Sequence, residues 1–148
     1  MFKRILIAND GSDEAYLAFE KAMEIAKKLK AELHMIVVEE FPLYGDMEAT
    51  IMVLDSIKEQ NEAIAERCQV VAKNRKIKLT THVVQGFAVT TISDFAKQYN
   101  FDLLVMGFME HCAIYRWLVG STTDGLINWA PCSVLVVKQT TDEKPVGG

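Results

Sequence analysis

The sequence predicts a single α/β domain in which a mainly parallel sheet is covered by helices on both faces. Along the 148 residues, short apolar runs alternate with longer segments whose apolar residues recur at helical spacing. The run LHMIVV at 33–38 is nearly continuous, as is typical of a strand buried on both faces. Since consecutive strands are separated by helices, the connections are crossovers, and crossovers produce parallel strands. The length fits one domain with a substantial core.

The elements follow in a regular order. The strands are predicted at 3–8, 33–38, 78–85, 103–106 and 133–137. The helices are predicted at 13–29, 48–73, 89–99 and from 120 onward. Ser12 is the expected N-cap of the first, because Asp13 and Glu14 in its first turn match the helix dipole. The third strand is polar enough at its centre to lie near a sheet edge. We expect the domain to cover 1–138 and the polar tail 139–148 to be disordered.

Composition excludes several classes of function. The net charge of −4 offers no basic surface for nucleic acid or for an acidic membrane. The three cysteines are far apart and the three histidines lie at no ligand spacing, so neither a disulfide framework nor a metal site is predicted. No signal peptide or membrane-spanning run is found, and we expect a cytoplasmic protein with reduced thiols.

A candidate phosphate site follows the fourth strand. The strand runs into a turn at Gly107, and after a divergent loop Gly120, Ser121 and Thr122 are predicted to open a helix. Glycines let backbone N–H groups approach phosphate oxygens, and the free N–H groups of a first helical turn favour an anion. Ser121 also fits a plain N-cap. Arg116 is the cation of this loop that can reach a polyphosphate, although a solvated loop arginine is the commoner case.

This stretch resembles the nucleotide-binding signature of the universal stress protein family. In that family a glycine is followed by two residues, a second glycine, nine residues and then Gly-Ser or Gly-Thr. Gly107 and the pair Gly120-Ser121 keep the spacing, whereas Glu110 occupies the position of the second glycine. The resemblance extends over nearly all of 2–138 and is strongest in ILIANDGS, LLVMG, the GST start of the fourth helix and APCSVLVVK. It implies a sheet of order 3-2-1-4-5 and homodimers that pair through the last strand, 133–137.

The resemblance also implies roles for two residues at the other end of the cleft. Asp10 corresponds to an aspartate beside the adenine and ribose in members that bind ATP, and Val37 corresponds to the residue near the adenine. Asp10 fits equally well as part of an Asp-Gly-Ser turn, and Val37 as a buried strand residue. The carboxylates of Asp10, Asp13 and Glu14 would repel phosphate, so we expect phosphates at the Gly107 end.

Glu110 leaves two functions open. A side chain and a negative charge at this position oppose phosphate binding, which favours AMP over ATP unless Arg116 or Mg²⁺ offsets the charge. The first hypothesis is therefore a homodimer with ATP or AMP as regulatory ligand. The second is a member that does not bind ATP and contacts an unknown protein partner through its apolar loop at 108–117. No catalytic constellation is found, so an enzyme is not predicted.

Overall fold

A computed structural model describes residues 1–40, 47–108 and 116–139, without the side chains of 49–50 and 116–121. The strands are β1 (Arg4–Ala8), β2 (Glu32–Glu39), β3 (Leu79–Gln85), β4 (Leu103–Gly107) and β5 (Ser133–Val137). The helices are α1 (Asp13–Leu29), α2 (Met47–Asn74), α3 (Ala88–Gln98) and α4 (Arg116–Trp129). Within these described ranges, no helix is both long and apolar enough to cross a membrane.

The strands form one five-stranded sheet in the order β3-β2-β1-β4-β5, and every pairing is parallel. Both the mainly parallel sheet and the order implied by the family resemblance are confirmed. β1 is the central strand between β2 and β4, while β3 is an edge strand, as its polar residues predicted. The strand order reverses between β1 and β4, and this is where ligands bind in open parallel sheets.

Two apolar layers cover the sheet. Strand residues such as Ile5, Ile7 and Met35 pack with α1 and α2 on one face, and Leu6, Ile36 and Leu104 pack with α3 and α4 on the other. Because side chains alternate along a strand, neighbouring residues of β1 supply both layers. The near-continuous apolar strands of the sequence are explained by this burial on two faces.

The first helix begins and ends as its sequence predicts. Ser12 is extended, and its hydroxyl accepts a hydrogen bond from the Ala15 N–H at 3.2 Å, which confirms the predicted N-cap. Lys30 ends the helix in the left-handed conformation with φ of 53°. The cap fixes where α1 starts relative to the end of β1, and this junction forms one wall of the site.

Candidate functional site

A cleft of about 440 Å³ opens at the carboxyl ends of the strands. Its walls come from β1, β2, β4 and the helices α1, α2, α3 and α4. The apolar lining includes Ile36, Val38, Ile57, Ile92, Met106 and Leu126. The polar lining consists of Asn9, Asp10, Glu40, Asn61, Thr122 and Thr123. A cleft with apolar walls and a few convergent polar groups is the usual form of a small-molecule site.

The turn after β1 positions Asp10 at the floor of this cleft. The Asn9 side-chain oxygen accepts a hydrogen bond from the Gly11 N–H at 2.8 Å, and Asp10 Oδ1 accepts one from the Ser12 N–H at 3.0 Å. Gly11 adopts φ of +85°, which side chains rarely tolerate. Asp10 can serve both the turn and a ligand, because Oδ1 accepts the hydrogen bond of the turn and Oδ2 can accept one from a ligand.

Asn9 anchors this turn in the core and was not identified from the sequence. Its side chain is buried, and its amide donates to Cys68 Sγ at 3.5 Å and to Met35 Sδ at 3.9 Å. Burial raises the pKa of the Cys68 thiol to about 11, so this cysteine is a neutral packing residue. An amide at the end of an otherwise apolar strand was the signal that could have revealed Asn9.

Gly107 lines the cleft, and a glycine is required at this position for a steric reason that the motif spacing did not reveal. A Cβ at this position would lie 2.6 Å from the backbone carbon and oxygen of Glu14 and 2.8 Å from the Ala15 nitrogen. The first turn of α1 therefore packs directly on the end of β4. The glycine is needed for this close approach of helix and strand, whether or not a phosphate binds beside it.

Val37 lies in the core, as in the buried-strand alternative that the sequence left open, and its place beside an adenine stays a prediction. Its side chain is buried in the layer between the sheet and α1 and α2, and it does not line the cleft. Ile36 and Val38 line the cleft instead, because side chains of consecutive strand residues point to opposite faces. The strand end that the resemblance indicated borders the cleft, and the side chain that faces the cleft is one residue further on.

The predicted start of the fourth helix is corrected. α4 begins at Arg116, so Gly120 and Ser121 lie inside the helix and Ser121 is not its N-cap. Arg116 and Leu118 are good helix formers, and an interior glycine costs only about 1 kcal/mol, so the helix can start before Gly120. Thr122 lines the cleft with Thr123, as its predicted site role requires. Glu110 lies outside the described residues, as do the side chains of 116–121.

The charges that line the cleft are negative. Asp10 and Glu40 carry carboxylates, and no lysine, arginine or histidine lines it in the part of the chain that the structure describes. Glu40 Oε1 accepts a hydrogen bond from the Ala88 N–H at 3.2 Å, at the start of α3. Glu40 and Asn61 were not among the predicted site residues, because neither belongs to a motif that the sequence displays.

The strand order and the parallel pairings place the chain among the open parallel α/β proteins. Comparison with known proteins identifies the group within this class. The chain belongs to the universal stress protein family, whose family model matches residues 1–138. The family resemblance seen in the sequence is confirmed.

Individual relatives align with this chain over most of their own length. A universal stress protein of Methanocaldococcus jannaschii is 31% identical over 97% of this chain and 86% of its own. The structure of universal stress protein UspA from Lactobacillus plantarum is 33% identical, with a TM-score of 0.78, and the match covers 92% of this chain and 97% of that one. A universal stress protein in complex with cAMP is 25% identical, with a TM-score of 0.72 over 92% of this chain and 97% of that one.

Proposed function

We propose that this protein is a stress-response regulator that binds an adenine nucleotide in the cleft as a regulatory ligand. The observation that carries the proposal is the cleft itself, with apolar walls on the β2 side and hydroxyls and Gly107 on the β4 side. An adenine base gains from burial between apolar side chains, whereas ribose and phosphate need hydrogen-bond partners. The family neighbour in complex with cAMP supports an adenine nucleotide as the class of ligand.

The charges of the cleft favour a nucleotide with few phosphates. Asp10 and Glu40 lie in the lining without a basic residue among the described ones, and each further phosphate adds repulsion. AMP is therefore the preferred ligand of the proposal, and ATP requires Mg²⁺ or Arg116 to offset its charge. In this arrangement Asp10 accepts hydrogen bonds from ribose hydroxyls, while Thr122 and Thr123 donate to phosphate.

Calorimetric titration with AMP and ATP, each with and without Mg²⁺, tests the proposal. We expect AMP to bind with one site per chain and the Asp10→Asn variant to bind it about tenfold to a hundredfold more weakly, since a hydrogen bond to a charged group contributes about 1.5–3 kcal/mol. Asp13→Asn is the matched control, because Asp13 is exposed on α1 and does not line the cleft. Flat titrations of the wild type would refute nucleotide binding and favour the second hypothesis, a protein-interaction module.

We further propose that two chains pair through β5. This strand is at the sheet edge, where its outer backbone groups have no strand partner within the described residues, and Leu135 on it is exposed. Ile127 and Trp129 add exposed apolar surface on α4. Light scattering is expected to give the mass of a dimer at micromolar concentration, and Leu135→Lys to give a monomer. A monomeric wild type would contradict this pairing.

A further inference from the structure

Glu40 occupies a distinctive position between the start of a helix and the ligand cleft. Phe87 is the N-cap residue of α3 and makes no side-chain capping hydrogen bond. Glu40, which follows the last residue of β2, accepts the hydrogen bond from the Ala88 N–H at 3.2 Å instead. Both Glu40 and Ala88 line the cleft. The cap therefore holds a carboxylate at the cleft wall.

One oxygen of this carboxylate remains for a ligand. Ala88 contacts Oε1, and within the described part of the chain no second donor contacts Glu40. An ionised carboxylate can only accept hydrogen bonds, so Oε2 attracts a donor and repels another acceptor. Because the backbone N–H of α3 fixes the first oxygen, the second is held in place at little further entropic cost.

The strand that ends beside Glu40 and the helix that it caps both contribute apolar side chains to the cleft. Ile36 and Val38 from β2, Ile57 from α2 and Ile92 from α3 form the apolar part of the cleft on this side. The hydroxyls of Thr122 and Thr123 are contributed by α4, which lies over the other half of the sheet. A planar base placed between the apolar walls brings an edge of its ring toward Glu40.

We propose that Glu40 determines which base the cleft accepts, by taking a hydrogen bond from an exocyclic amino group. This inference rests on the proposed nucleotide binding. Adenine presents an amino group at position 6, whereas hypoxanthine presents a carbonyl oxygen there and would face the carboxylate with an acceptor. Glu40 is exposed in the structure, so discrimination arises when the bound base displaces water from the carboxylate: an amino group replaces the lost hydrogen bond, whereas a carbonyl oxygen does not.

AMP and IMP test the proposal, because the two nucleotides share ribose and phosphate and differ at position 6 and in the proton on ring N1. We expect wild-type protein to bind AMP at least about tenfold more tightly than IMP. In Glu40→Gln the side-chain oxygen can still accept from the Ala88 N–H, and the amide NH₂ then faces the cleft. A donor at this place is expected to abolish or reverse the preference for AMP. Thermal unfolding of each variant establishes that the cap and the fold are retained.

Glu39→Gln is the matched control. Glu39 is the neighbouring carboxylate on β2, and its side chain does not line the cleft, so the same charge is removed without changing the lining. A loss of discrimination in Glu40→Gln but not in Glu39→Gln supports the proposal. Unchanged discrimination, or an equal loss of affinity for both nucleotides, overturns it while nucleotide binding stands. If neither nucleotide binds the wild type, the proposed function fails as well.

Discussion

Polar side chains gather in two regions of the molecule, and these regions differ in how their polar groups are paired. At the carboxyl ends of the strands, the cleft brings together Asp10, Glu40, Asn61 and Thr123 around open space. Toward the amino ends, a histidine cluster is formed by His34, His82, Glu32, Arg4 and the aromatic rings of Phe95 and Phe101. β2 contributes to both regions, with His34 in the cluster and Val38 in the cleft.

The histidine cluster pairs its groups with one another. His34 Nδ1 lies 3.0 Å from His82 Nε2, and His34 Nε2 lies 3.4 Å from Glu32 Oε2. Arg4 pairs with Glu32, stacks over the Phe101 ring at 5.0 Å and donates to the Tyr99 carbonyl at 3.1 Å. The partners are supplied by the protein, so this cluster is explained by folding alone.

The cleft differs because its polar groups converge on space rather than on each other. Asp10 and Glu40 each accept a hydrogen bond from a backbone N–H on one oxygen, and among the described residues no protein donor contacts the other oxygen. Asp10 and Glu40 are both exposed, so water can satisfy their remaining oxygens until a ligand displaces it. A cluster of polar residues is therefore a candidate ligand site only where its hydrogen-bonding groups are not already paired with other protein groups.

Gly107→Ala is expected to have the largest effect, because the added Cβ forces the first turn of α1 away from the end of β4 at the cleft. The added Cβ would meet Glu14 backbone atoms at 2.6 Å, and backbone cannot move as a side chain can. We expect a loss of about 3 kcal/mol in unfolding free energy, at the upper end of overpacking costs. Chemical denaturation measures it.

Gly125→Ala is the control for that substitution. Its Cβ would meet Val89 Cγ2 at 2.9 Å, a side-chain atom that can shift, and alanine improves helix propensity by about 1 kcal/mol. We expect little net change in stability. Equal losses in both variants would show that the close approach of α1 and β4 is not what requires Gly107.

Asn9→Ala is expected to have the next largest effect. The variant removes the acceptor of the Gly11 N–H and leaves a buried gap beside Cys68. We expect a loss of about 2 kcal/mol in unfolding free energy, since a hydrogen bond to a buried group is lost. Asn61→Ala is the comparison variant for Asn9→Ala, because Asn61 also lines the cleft but lies within α2 rather than in the turn after β1. It should weaken AMP binding in calorimetry and leave stability nearly unchanged; a comparable loss of stability would contradict the distinction.

The fold could be predicted from the sequence because its determinants are local and repeated. The apolar runs and helical stripes gave each described strand and helix to within a few residues, apart from the start of α4, and polar residues of β3 marked an edge. The strand order came from the family resemblance carried by ILIANDGS and LLVMG. Each of these signals lies within one element or one motif.

The site could be predicted only in part because it is assembled across elements. Asp10, Gly107 and Thr122 lie in recognisable motifs, and the structure places all of them at the cleft. Glu40 and Asn61 come from the end of a strand and the face of a long helix, and only the packing of α2 and α3 brings them to the same space. The motif did not show which face of β2 borders the cleft, because strand alternation decides that Val37 packs in the core while Ile36 and Val38 line the cleft.

Thr123→Val tests the cleft without disturbing the core. Thr123 is 3% exposed and lines the cleft, and valine has nearly the same shape but no hydroxyl. We expect AMP affinity to fall about threefold to tenfold, which corresponds to one neutral hydrogen bond. Thr90→Val, on the exposed side of α3, should leave the affinity unchanged. Wild-type affinity in Thr123→Val would mean that this hydroxyl does not contact the ligand.

The histidine cluster offers the smallest effect, a dependence of stability on pH. Burial lowers the pKa of both His34 and His82 below the ordinary value of 6.5, and His34 lowers the pKa of His82 further. The Glu32 carboxylate opposes the shift at His34, while Arg4 and Lys78 reinforce it. The unfolded chain therefore binds more protons than the folded chain below about pH 6.5, so acidification destabilises the fold.

Chemical denaturation between pH 7.5 and 5.5 is expected to show this loss of stability in the wild type. His82→Gln keeps a hydrogen-bonding group opposite His34 but removes one titrating ring, so its stability should fall less steeply over the same interval. Carboxylates titrate mainly below this range, which separates their contribution from that of the histidines. Parallel curves for the two proteins would mean that the paired rings bind protons equally in both states. The histidine cluster would then make no contribution to the dependence of stability on pH in this interval.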